Sequence, residues 1–182
     1  SMFDFSKNHF ELFGLPVGFR LDREQLDARY RSLQRALHPD RYATGTDQEK
    51  RLSMQAATRV NEAYNTLKDG LARARYLLEL HGVDLGADNE TTRDTAFLME
   101  QMELREALEA ARSHPDPYPQ ISELLARINR DVKILSGQLA LSFETPTPEH
   151  LEAARDTVSK MQFLQKFRAD AEHLEAQLDE AY

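Results

Sequence analysis

The chain contains no cysteine in 182 residues, which excludes disulfides, thiol nucleophiles and any cysteine-held metal or cluster from its own chemistry. Its 6 histidines stand singly, without a pair at ligand spacing, so no metal site is expected. No apolar run reaches the ~18 residues of a membrane span, and no signal peptide is recognisable. Ser1 ahead of Met2 reads as an expression scar. A cytoplasmic protein with no membrane partner is expected. There is no glycine-rich phosphate loop and no motif that would activate a nucleophile, so no cofactor is expected either. The net charge of -8 argues against a nucleic-acid partner, which calls for a basic domain or stripe.

What is present is helical periodicity and an uneven distribution of charge. The segment through His81 carries a net +2 and the remainder a net -10, so the two halves are expected to meet different partners. The fold class expected is all-α. Residues 7 to 15 form a short helix at most, stopped at Gly14, with Phe10, Leu12 and Phe13 in the core. The next helix opens at Asp22, with Gln25 in capping-box position and Leu26, Tyr30, Leu33 and Leu37 on one stripe. Arg31 and Arg35 fall on the opposite face and Arg29 on its flank. Thr46 and Glu49 open a further helix, with Leu52, Ala56, Val60, Ala63 and Leu67 on its apolar side. The two stripes make an antiparallel hairpin, and Gly70 separates it from a short helix that ends at Gly82.

Between the hairpin helices lies His38-Pro39-Asp40, which proline holds open as an exposed corner. The same three letters recur at His114-Pro115-Asp116. The first copy follows a capped basic helix; the second follows an acidic helix, runs into Pro117 and Pro119, and reads as an ordinary break. Residues 82–93 lose periodicity and gather turn formers, which puts a linker there between a domain at 2–81 and one at 94–182. The second domain is expected to be a three-helix bundle, with helices at about 94–112, 120–142 and 148–181. Its first helix carries two apolar stripes: Phe97, Leu104 and Leu108, and, about 150° round the wheel, Leu98, Met99 and Met102. One stripe packs. The other is surplus, rimmed by Glu103 and Glu106, and Phe163 of the last helix could complete it as a docking patch.

The order FELFGL, basic helix, HPD and NEAYNTL resembles a J-domain. The continuation ARARYLLELHGVDL and RDTAFLMEQMELRE is similar to the HscB family of J-type co-chaperones in iron-sulfur cluster assembly. The resemblance implies two partners and no active site of its own. The J-domain would bind the ATP state of an HscA/DnaK-type chaperone and stimulate its ATPase. The bundle would hold the cluster scaffold protein IscU as client. The implied chaperone-binding residues are His38, Pro39, Asp40, Arg29, Arg31, Arg35 and Arg41, and the implied scaffold-binding residues are Leu98, Met99, Met102, Glu103, Glu106 and Phe163. Ala110 and Gln162 depart from the acidic and basic residues a related patch can carry. A monomer is the working expectation. Two other readings compete: a J-domain adaptor whose bundle serves another client or a structural dimer, and a small helical enzyme using His38 and Asp40 as general base and orienter.

Overall fold

The computed structural model describes residues 3–86 and 92–181, and among them every regular element is a helix. The elements are α1 (His9–Leu12), α2 (Arg23–Ala36), a short 3-10 helix (Pro39–Tyr42), α3 (Asp47–Lys68), α4 (Gly70–Leu80), α5 (Thr95–Arg112), α6 (Pro117–Glu144) and α7 (Pro148–Ala181). They divide into two compact units, Ser1–His81 and Gly82–Tyr182. The linker expected at 82–93 falls in part on residues 87–91, outside the described residues.

In the first unit the helix starts are set by side chains that satisfy otherwise unpaired backbone amides. Asp22 accepts from the Gln25 amide at 3.1 Å, and Thr46 and Glu49 close a reciprocal capping box. The α2–α3 hairpin is held by more than its apolar stripes. Tyr30 and Tyr64 stack with ring centroids 3.8 Å apart, and their hydroxyls donate across the pair to Asn61 at 2.7 Å and Asp27 at 2.8 Å. Leu26, Ala56, Val60, Ala63 and Leu67 are buried as expected, but Leu33, Leu37 and Leu52 are only half-covered toward the open end of the hairpin. Phe10 and Phe13 are core, whereas Leu12 is half-buried and Leu15 and Phe19 take core places instead. The α1 helix docks by its His9 ring, which stacks on Tyr76 at 4.1 Å, while the His9 amide donates to the Tyr76 hydroxyl at 3.0 Å.

Gly70 is the first residue of α4 and does not separate it from α3. Asp69 ends α3 and caps α4 at once, accepting from the Ala72 amide at 2.9 Å, so the chain turns in a single residue. Gly14 is required for a different reason: its φ is +60°, and a Cβ there would lie 2.5 Å from the Arg29 guanidinium.

In the second unit α6 and α7 form the longest contact and α5 packs against both. Asp94 caps α5 and Thr147 caps α7, accepting from Phe97 and His150 at 3.3 and 3.2 Å. The α6 helix begins at Pro117 and not near 120, because the first turn has no intrahelical use for the amides that Pro117 and Pro119 lack. Ile121, Leu124, Ile128, Leu135 and Leu139 of α6 are buried, as are Ala154, Val158, Met161, Leu164, Phe167, Ala171 and Leu174 of α7.

Candidate functional site

Two surfaces, one in each unit, gather the residues singled out by the sequence. The first is the corner between α2 and α3. His38 caps the 3-10 helix, its Nδ1 accepting from the Asp40 amide at 3.2 Å, with Pro39 in the first turn where proline is tolerated. The local bond fixes the backbone and leaves the carboxylate outward: the Asp40 side chain is 92% exposed, with the His38 Nδ1 3.6 Å from its carboxylate. The connection between α2 and α3 is thus largely ordered by this cap and helix. Arg31, Arg35 and Arg41 are exposed on the same unit, and Arg35 donates to Ser32 at 3.2 Å.

Arg29, expected on the flank of that face and among the chaperone-binding residues, is engaged within its own unit. Its Nη1 donates to the carbonyls of Phe13 at 2.5 Å and Gly14 at 2.6 Å, tying the end of α1 to α2. A guanidinium so engaged acts as a structural strut, while Arg31, Arg35 and Arg41 are the more exposed arginines of that face.

The second surface runs along α5 and α7. Phe97 and Leu104 are packed at 8% and 0% exposure, while Leu98, Met99 and Met102 stand at 38%, 60% and 60%. The surplus stripe is therefore a surface stripe. Fully burying such a side chain is worth roughly 1.5–3 kcal/mol, and methionines left in water forgo most of it. Phe163 is half-buried beside this stripe, edge-on to Phe97 at 5.9 Å and stacked on Phe167 at 6.0 Å. Glu106 is exposed; Glu103, also exposed, leans toward Arg127 of α6 at 3.9 Å.

Three features of this surface escaped the sequence reading. Arg105 lies over the Phe163 ring at 5.2 Å and holds it by a cation–π contact. Its signal was available, since it stands at i+3 from Met102 and i+7 from Leu98, on the same side of the helix. Next to it a groove of about 560 Å³ is lined by Phe163, Phe167 and Leu108 with Arg105, Lys166, Glu109 and Asp170. Finally, Lys160 pins the start of α5, its Nζ 2.8 Å from Asp94 and 3.2 Å from Asp156. Burial alone would lower the Lys160 pKa, but the hydrogen bonds to Asp94 and Asp156 hold it raised, and the Asp94 carboxyl is lowered chiefly by its bond to Lys160. No such long-range pairing can be read from spacing. Further along α5, Glu100 is raised by burial and by its neighbour Asp131, against the pull of Arg127 at 3.2 Å.

A helical hairpin with an exposed His-Pro-Asp corner, followed by a three-helix bundle with an apolar surface stripe, defines a two-unit, J-type co-chaperone. The comparisons agree. Residues 93–172 match the family model described as the HSCB C-terminal oligomerisation domain. The co-chaperone protein HscB homolog of Shewanella loihica is 43% identical over 92% of this chain and 97% of its own. Among solved structures, chaperone HscB from Vibrio cholerae aligns with a TM-score of 0.82 at 37% identity, over 94% of this chain and 99% of that one. The human co-chaperone protein HscB aligns with a TM-score of 0.86 at 28% identity, over 96% and 85%. The chain belongs to the HscB co-chaperone family, and its architecture is that of the HscB structures, an N-terminal J-domain followed by a C-terminal helical domain.

Proposed function

We propose that this protein stimulates the ATPase of an HscA/DnaK-type chaperone and delivers to it the iron-sulfur scaffold protein IscU. In this reading residues 2–81 act as the J-domain, 82–93 as linker and 94–182 as the client-holding bundle, in the cytoplasm and without an active site of their own. The observation that carries the client half is the stripe of Leu98, Met99 and Met102, left in water on a helix whose opposite stripe is fully packed. A methionine-rich face adapts to a partner, and Phe163 with Arg105 over it extends the same face onto α7.

The chaperone half rests on Asp40. Its carboxylate projects into solvent from a proline-fixed corner and would accept a charge-assisted hydrogen bond from a basic group on the chaperone. Arg31, Arg35 and Arg41 would steer that corner onto an acidic surface. Acceleration follows only if the corner binds the hydrolysing state of the chaperone better than the resting one. The test is the chaperone's ATPase rate with this protein and the scaffold added separately and together. Synergy is expected; a merely additive response, or none, would reject the reading.

A further inference from the structure

The sulfur chemistry of this chain is confined to methionine. An oxidant finds no cysteine thiolate, and the 5 methionines are the only sulfur it can meet. Met161 is in the bundle core at 2% exposure, whereas Met54 on α3 is 69% exposed and Met99 and Met102 on α5 are each 60% exposed. Met99 and Met102 share the apolar stripe beside Leu98, one helical turn apart at i and i+3. Leucine would present a similar apolar surface at either position. Methionine adds a flexible stem and a sulfur that can accept oxygen.

We propose that Met99 and Met102 are a modification site: hydrogen peroxide converts them to the sulfoxide, and the oxidised stripe releases the client. The inference rests on the client reading proposed above and adds its regulation. In each oxidation a lone pair of the thioether sulfur attacks one peroxide oxygen as the O–O bond breaks. An S–O bond forms, the proton on the transferred oxygen passes to the departing hydroxide, and water leaves. Sulfur gives up two electrons and the peroxide takes them. The return step belongs to a methionine sulfoxide reductase, in which an external dithiol supplies two electrons and two protons, the oxygen leaves as water and the dithiol closes to a disulfide. This chain has no thiol of its own, so both directions are driven from outside it.

The position of the stripe decides what the added oxygen does. In the free protein a sulfoxide at Met99 or Met102 is hydrated, and the packed side of α5, with Phe97, Leu104 and Leu108, is untouched. Beneath a docked partner the same oxygen is a strong acceptor carried into an apolar contact, and its desolvation goes uncompensated. Oxidation therefore penalises the complex and spares the fold. Burial protects Met161, the one methionine among the described residues whose oxidation would disrupt the core.

The test treats the full chain with millimolar hydrogen peroxide, maps each methionine by peptide mass spectrometry, and titrates the product with the scaffold. Met99 and Met102 should each gain one oxygen while Met161 stays a thioether, with far-UV circular dichroism unchanged. Affinity for the scaffold should fall about tenfold or more. Methionine sulfoxide reductases of both epimer specificities, with dithiol, should restore it. A variant carrying Met99→Leu and Met102→Leu is compared only with itself: whatever its starting affinity, peroxide should leave that value where it was, although Met54 is still oxidised. Met54→Leu should lose affinity on oxidation as wild type does. Unmodified Met99 and Met102, scaffold binding that survives their oxidation, or a peroxide effect persisting in the Met99→Leu, Met102→Leu variant would overturn the proposal. Failure of the untreated protein to bind the scaffold would instead reject the client reading, and this inference with it.

Discussion

The two His-Pro-Asp corners share one local geometry and differ in everything around it. In each, the histidine Nδ1 accepts from the aspartate amide, at 3.2 Å for His38 and 2.9 Å for His114. The first corner is itself the start of a short 3-10 helix and exposed arginines flank it; the second leads directly into α6, whose first residue Pro117 is buried. The tripeptide thus encodes a corner. What the corner can do depends on the charge displayed beside it and on whether the chain just beyond it stays open.

The comparison breaks most directly on Asp40→Asn against Asp116→Asn. The first should reduce chaperone ATPase stimulation by an order of magnitude or more, on the scale of losing a charge-assisted hydrogen bond at an interface hot spot, whereas the second should leave it unchanged. Equal losses, or an Asp40→Asn protein of altered thermal stability, would remove the distinction between the corners. Since the second corner ends the helix that carries the apolar stripe, Leu98→Ala, Met99→Ala and Phe163→Ala together should cost scaffold binding about tenfold or more without unfolding the bundle. Asp116→Asn should leave that binding intact. Isothermal titration with the scaffold separates the two results.

Smaller effects sharpen the contrast. Arg31→Ala with Arg35→Ala should lower the rate of chaperone association several-fold at low salt, and added salt should shrink the difference, because exposed charges are screened beyond ~10 Å at 0.1 M. His38→Ala and His114→Ala should each cost roughly 0.5–1.5 kcal/mol in urea denaturation, since both remove the same backbone cap. Only the first should also impair stimulation.

The units should also part under acid. His9 is lowered from its ordinary 6.5, by burial first and by Arg59 second, and its Nδ1 has no hydrogen-bond partner. Its neutral form is favoured in the fold, so its contribution is complete above pH 6.5 and is lost as pH falls through the lowered value. Asp94 is lowered from 3.8, so its contribution to the bundle survives until pH falls below that figure. Glu100, raised above 4.5, loses stability as pH rises through its folded value and therefore favours the bundle in mild acid. Hydrogen exchange between pH 7 and 4.5, corrected for intrinsic rate, should show α1 loosening first. Simultaneous loosening of α5 would contradict the assignment.

Most of the fold was legible because it rests on local rules. Periodicity located the main helices, and Asp22 and Thr46 marked two starts through bonds that reach only a few residues. The α6 start was misread because proline stops a helix from within and is welcome in its first turn. Gly70 misled for a related reason: Asp69 supplies the cap that makes a glycine break unnecessary. At the candidate site the surplus stripe on α5 was readable, since a second apolar side on one helix has no purpose in the sequence pattern. Arg29 and Lys160 were not. Their partners lie at Phe13, Gly14 and Asp94, at separations that only the packed chain brings together.

The bond from the Asp40 amide to His38 also fixes a tautomer. A ring whose Nδ1 accepts must carry its proton on Nε2, so the corner offers a donor and the Asp40 carboxylate as acceptor on neighbouring side chains.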